Sequence, residues 1–236
     1  MKHTLKSIFS MALMLVSLST FAQKQTKDTV KQARTERYGL RVGVDLHRLT
    51  KSFYDKDYKG FEVVGDYRLT KKIYIAGELG NENKTVNDDQ LNFTTKGSYF
   101  KVGFDYNTYE NWLDMENMIY AGMRYGVGSF SQELNSYTIY NTNPYFGQTT
   151  VTPGTKFDGL NASWIELVGG MKAELFNNLY LGVSVRINYL VSEKKPENFD
   201  NLYIPGFNRT YDGKFGAGFN YTLSYFIPIY KKTGSK

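Results

Sequence analysis

From residue 38 onward, apolar residues fall on every second position, the repeat of an extended strand whose successive side chains point to opposite faces. In the first run Tyr38, Leu40, Val42, Val44 and Leu46 alternate with Gly39, Arg41, Gly43, Asp45 and His47. The same alternation recurs in residues 61–69, 73–79, 99–106, 119–127, 164–174, 179–189 and 214–227, which predicts eight strands. Each is close to, or slightly shorter than, the roughly 9 to 11 residues a tilted strand needs to cross a bilayer, except the last, which is longer.

The two faces so defined differ in kind. The apolar one carries no charge, whereas the other carries seven cations (Arg41, Arg68, Lys101, Arg124, Lys172, Arg186, Lys214) and seven carboxylates (Asp45, Glu62, Asp66, Glu78, Asp105, Glu166, Glu174). Glycines 43, 103, 122, 126, 170, 182, 216 and 218 share the charged face. A soluble sandwich would put most of its charges on an open, water-facing surface. Charge combined with glycine fits a crowded, concave one.

Connection lengths give an independent test. Residues 48–60, 80–98, 128–163 and 190–213 are long, and the intervening 70–72, 107–118 and 175–178 are shorter than their neighbours. Outer-membrane barrels alternate short periplasmic turns with longer extracellular loops in this way, and an even strand number closes the sheet so that no backbone edge meets lipid. The prediction is an all-β, eight-stranded antiparallel transmembrane up-and-down β-barrel. Outward aromatics fall at its two ends, Tyr38, Tyr67, Tyr106 and Tyr225 at the periplasmic side and Phe61, Phe100, Tyr189 and Phe215 at the other, as interfacial girdles do.

Residues 1–22 read as a secretory signal peptide, with Lys2 and Lys6 ahead of an apolar centre and Thr20-Phe21-Ala22 as the cleavage site. Residues 23–37 then form a polar, disordered periplasmic tail, 38–230 the barrel, and 231–236 a basic C-terminal tail. This division explains the formal charge of +6: the signal carries +2, each tail +3, and the body −2. No basic surface is left for nucleic acid. A mean hydropathy of −0.45 rules out a helical membrane bundle, and the absence of cysteine excludes disulfides and thiolate metal sites.

The chain resembles the small eight-stranded outer-membrane barrels that include the OmpA transmembrane domain and OmpX. More narrowly, the Phe21-Ala22-Gln23 cleavage region and a single barrel after a short polar tail look like a Bacteroidetes family of small barrels of unknown function. The spacing Lys214-x-Gly216-x-x-Phe219-x-Tyr221 is similar to the terminal signal read by the barrel-insertion machinery, and Asp28-Thr29-Val30 to a short O-glycosylation acceptor. The resemblance implies a Gram-negative outer-membrane location, with outer-membrane lipid and the insertion machinery as partners.

The seven-to-seven charge balance predicts a cross-linked, largely solid lumen in preference to a narrow small-solute channel, since eight strands leave just enough room for side chains. Binding then falls to the loops, where Tyr137, Tyr140, Tyr145 and Phe146 offer aromatic contact area. After signal cleavage His47 is the one histidine, so an enzymatic reading, a rim hydrolase or transferase acting on lipid or peptide, runs through it with Asp45 and Glu62, and Ser52 nearby. No nucleophile elbow and no metal-ligand spacing is present, so no cofactor and no metal are expected. The reading that follows is a non-enzymatic membrane scaffold, or an accessory subunit of a larger outer-membrane complex.

Overall fold

The computed structural model describes residues 35–109, 116–139, 145, 149–197, 199–208 and 213–233. The elements are β1 (Thr35–Asp45), α1 (Leu46–Tyr54), β2 (Tyr58–Arg68), β3 (Ile73–Asn87), β4 (Leu91–Asn107), β5 (Met118–Ile139), β6 (Thr149–Val151), β7 (Thr155–Phe176), β8 (Leu179–Glu193) and β9 (Phe215–Thr233). Eight strands pair antiparallel in the ring β1-β2-β3-β4-β5-β7-β8-β9, which β9 closes onto β1. The short β6 adds a three-residue ladder to the outer end of β5.

Alternation sets which side chain faces where. Along β5 every second residue from Met118 to Phe130 is buried, while Ile119, Met123, Tyr125 and Val127 are exposed on the outside. The outward run 119–127 rises about 20–23 Å at roughly 3.3 Å per residue and a tilt near 40°, close to the ~25 Å apolar band of a membrane barrel. Inside, glycine makes room for bulk. A Cβ on Gly126 would run into the indole ring of Trp164, which is fully buried on the facing strand.

Several expectations are corrected. Residues 80–98 form no long loop: β3 and β4 continue through them to a turn at residues 88–90, held by hydrogen bonds between Asp88 and Leu91. Their outward face turns polar there, with Asn81, Asn83, Thr85, Asn92, Thr94, Lys96 and Ser98, which erased the hydrophobic alternation. Residues 128–139 and 155–163 likewise extend β5 and β7, each 22 residues long. Leu46 and His47 leave strand geometry for α1, because the Asp45 carboxylate caps the helix by accepting from the His47 N–H at 2.7 Å. Tyr38 is buried instead of belonging to the girdle: a bulge between Tyr38 and Gly39 shifts the parity and stacks its ring on Tyr230 at 5.2 Å, under Arg68. The closing ladder starts at Thr35↔Thr233, three residues into each segment read as a tail.

Candidate functional site

The lumen carries a continuous relay of ion pairs. Arg186 grips Glu78 with both terminal nitrogens, at 2.6 and 2.9 Å, and reaches Glu166 at 2.9 Å. Lys101 bridges Glu166, Glu78 and Glu62 at 3.0, 3.5 and 3.9 Å. Below these, Arg124 meets Asp105 at 2.7 Å, Lys172 meets Asp66 at 2.6 Å, and Arg41 lies 3.7 Å from Asp66 with its guanidinium over the Tyr180 ring. The bidentate Arg186–Glu78 pair is the strongest geometry available to such groups, and every buried charge has an opposite charge beside it. A cavity of about 30 Å³ among Asp66, Glu78, Arg124 and Lys172 leaves room for little more than bound water.

A second layer closes the outer mouth. The segment after β8 folds back into the barrel as a turn through residues 203–208, tied by the Ile204–Asn208 bridge, and Ile204 and Phe207 are buried against Tyr99, Phe130, Leu160, Trp164 and Leu190. The polar rim of this plug converges on Glu82. One carboxylate oxygen accepts from Arg48 Nε at 2.9 Å and Tyr58 Oη at 2.6 Å, and the other from Tyr203 Oη at 3.0 Å and the Gly206 N–H at 2.8 Å. Gly206 has φ 81°, and a Cβ there would strike the Tyr99 ring, so the turn that presents this N–H requires glycine. Gln132 holds the same segment from the other wall, donating to the Asp200 carbonyl and accepting from the Leu202 N–H. Between plug, α1 and β9 lies a cavity of about 260 Å³ lined by His47, Arg48, Lys51, Asn188 and Asn220 among others.

The predicted lumen charges are largely brought together. Arg41, Asp45, Glu62, Asp66, Glu78, Lys101, Asp105, Arg124, Glu166 and Arg186 are buried, with Lys172 nearly so. Arg68 and Glu174 sit at the inner end in a separate cluster with Glu36, Arg37 and Glu116. Lys214 is a correction: it lies exposed in the turn before β9 begins at Phe215. Arg48 and Glu82 were missed, although Glu82 continues the inward parity of Tyr74, Ala76 and Glu78.

The three catalytic candidates do not form an acid–base pair at His47. Asp45 is spent on capping α1 and on Arg48 and Asn220. Glu62 accepts from Tyr99 Oη at 2.6 Å and from Asn220 at 3.2 Å. The His47 ring packs instead on Phe219 and Tyr221, at 4.5 and 5.6 Å between centroids, and its burial there lowers the imidazole below its usual 6.5. Ser52 bonds the Arg48 carbonyl and both backbone groups of Gly60. Of the loop aromatics, Tyr137 is half-buried in the β5–β6 ladder and Tyr145 is 93% exposed. Tyr140 and Phe146 lie outside the described residues, as do the signal peptide and Asp28-Thr29-Val30.

A closed eight-stranded antiparallel barrel with an apolar exterior and a packed, ion-paired interior defines the class. The chain belongs to the family described as a domain of unknown function (DUF6048), whose model matches residues 4–232. Among solved structures it is similar to Ail, the attachment invasion locus protein of Yersinia pestis, at 10% identity and a TM-score of 0.40, over 80% of this chain and 97% of that one. No curated protein matches the chain.

Proposed function

We propose that this chain is an outer-membrane β-barrel with a sealed lumen, serving as a scaffold or accessory subunit that offers its raised outer sheet to a partner. The observation that carries this reading is the double seal: an ion-pair relay across the barrel, and above it the 203–208 plug held on Glu82. A conducting pore needs a water-filled path and usually one sign of charge in excess at its constriction. Here opposite charges alternate through the constriction. The outer ends are unequal: β5 and β7 run 22 residues, β1 and β2 only 11, so a sheet stands above the barrel on one side. Presentation of that sheet is the function the shape supports.

The test has two arms. Purified barrel in planar bilayers is expected to give no steady conductance, and stable open channels whose selectivity follows Arg124 or Arg186 would replace the scaffold by a channel. A mild-detergent pull-down of the tagged full chain is expected to retain a stoichiometric outer-membrane partner that is lost when residues 128–163 are shortened to a tight turn. An identical change in lipid A or in surface-peptide cleavage on deleting the protein and on His47→Ala, at constant barrel abundance, would favour the rim enzyme.

A further inference from the structure

The wall of the barrel is interrupted at one place. β1 pairs with β9 only as far as Asp45↔Thr222, and with β2 only as far as Val44↔Val63. Beyond that level β2 continues outward to Tyr58 and β9 to Phe215 without β1 between them. α1 stands in the gap, and its side chains do the work of the absent strand. Ser52 bonds the N–H and the carbonyl of Gly60 on β2, and Thr50 shares a hydrogen bond with the Tyr221 hydroxyl on β9.

The orientation of α1 follows from its spacing. Arg48, Lys51 and Ser52 share one side at i, i+3 and i+4, and Arg48 is buried in the lumen against Asp45, Glu62 and Glu82. Leu46, Leu49 and Phe53 share the opposite side at i, i+3 and i+7. Phe53 is 88% exposed and the adjoining Tyr54 72%, well above the values of the flanking wall residues. Those flanking residues are themselves apolar and outward: Phe61 on β2, and Phe215 and Phe219 on β9, are each about half exposed. A helix set into a wall between two outward apolar strands shares their solvent.

We propose that α1 is an interfacial membrane helix: its Leu46–Leu49–Phe53 face and Tyr54 sit in the outer-leaflet lipid, at the boundary of acyl chains and headgroups, while its polar face seals the lumen. The proposal rests on the membrane reading above and adds its lipid-contacting helix. An apolar face with an aromatic end is the pattern of helices that lie in the interface plane, and Tyr suits the headgroup level. Replacing a strand by a helix here is also compatible with lipid, because a helix satisfies its own backbone and Ser52 meets both backbone groups of Gly60 on the bared β2 edge.

The natural chain has no cysteine, so single-site spin labels report without background. Three variants of the full chain, Phe53→Cys, Val183→Cys on the outward belt of β8 and Lys156→Cys on the outer hairpin, are labelled and reconstituted at high lipid-to-protein ratio in dimyristoyl phosphatidylcholine vesicles. Phe53 is not part of the packed interior, so its replacement leaves the barrel intact. Collisions with oxygen, which concentrates in lipid, are compared with collisions with a water-soluble nickel chelate. The label at 53 is expected to favour oxygen, as at 183, and the label at 156 the chelate. A label at 53 that favours the chelate while 183 favours oxygen overturns the interfacial helix and leaves the barrel reading standing. If 183 also favours the chelate, the membrane reading fails and takes the helix with it. Dipolar broadening at 53 that disappears on mixing with unlabelled protein would put a second copy on this face, and also overturns the proposal.

Discussion

The barrel closes its wall in two ways. From β3 through β7 the strands run past the belt, and a backbone ladder joins neighbours along the wall: β3 and β4 pair from Ile73↔Tyr106 to Asn87↔Asn92 without interruption. From β9 through β1 to β2 the ladder stops at Asp45, and α1 takes over with side chains: Asp45 on its N-terminus, Arg48 on three carboxylates, Ser52 on Gly60. A ladder tolerates change in side chains because its bonds are made by the backbone. A wall closed by side chains does not. The tall side is therefore expected to absorb substitution, and the side closed by α1 to fail at single residues.

The largest effect is expected beneath both sides. Arg186→Glu leaves Glu78 and Glu166 facing a third carboxylate at a site where an unpaired buried charge costs about 3–5 kcal/mol. Urea unfolding of the barrel in detergent micelles measures it. A smaller shift than that of Glu82→Ala would place the stability of the molecule at the rim.

Glu82→Ala strips the acceptor from Arg48, Tyr58, Tyr203 and Gly206 together. Leaving several buried donors without partners is expected to cost about 2–4 kcal/mol. Limited proteolysis should then cut within residues 46–57 and 194–208, with the β3–β4 hairpin intact. The matching substitution on the same strand, Thr85→Ala, removes only a bond within the β3–β4 ladder, to Thr94, and is expected to stay within about 0.5 kcal/mol. Equal cleavage in the two variants would erase the contrast between the two walls.

Ser52→Ala is smaller, about 1 kcal/mol, and local. Its signature is faster hydrogen exchange at the Gly60 amide, which donates to Ser52 Oγ at 2.8 Å, while amides of β3 paired with β4 keep their protection.

The smallest effect is one of pH. Burial against Phe219 and Tyr221 lowers the His47 imidazole, so the unfolded chain takes up a proton at a higher pH than the folded one. As pH falls through 6.5, the ordinary value, α1 loses stability, and the loss levels off once the folded imidazole is protonated as well. Mobility of a spin label at residue 53 should rise on acidification from pH 7.5 to 5 in the natural background and stay flat in His47→Gln. A rise in both would assign the pH response to another group.

What the sequence alone determined is the ring and the sign of its two faces. Period-two alternation is a local property, and in a closed barrel each strand meets the same two environments, so eight short runs were enough to reveal outside, inside and most of the buried charges, though not which of them pair. Alternation was silent where the outward face is polar, in the outer halves of β3 and β4, and misleading at Leu46 and His47, where it continues unbroken although the chain has turned into a helix. Its parity also carried Lys214 into the lumen from a turn and Tyr38 onto the outside past a bulge. Tertiary structure alone decided the seal. Glu82 gathers donors from residues 48, 58, 203 and 206, the farthest 124 positions along the chain, and no spacing of residue types announces such a meeting. Where β1 stops was settled the same way: Asp45 could have begun another strand pair, and becomes a helix cap because Arg48, one turn on, finds Glu62 and Glu82 waiting on the neighbouring strands.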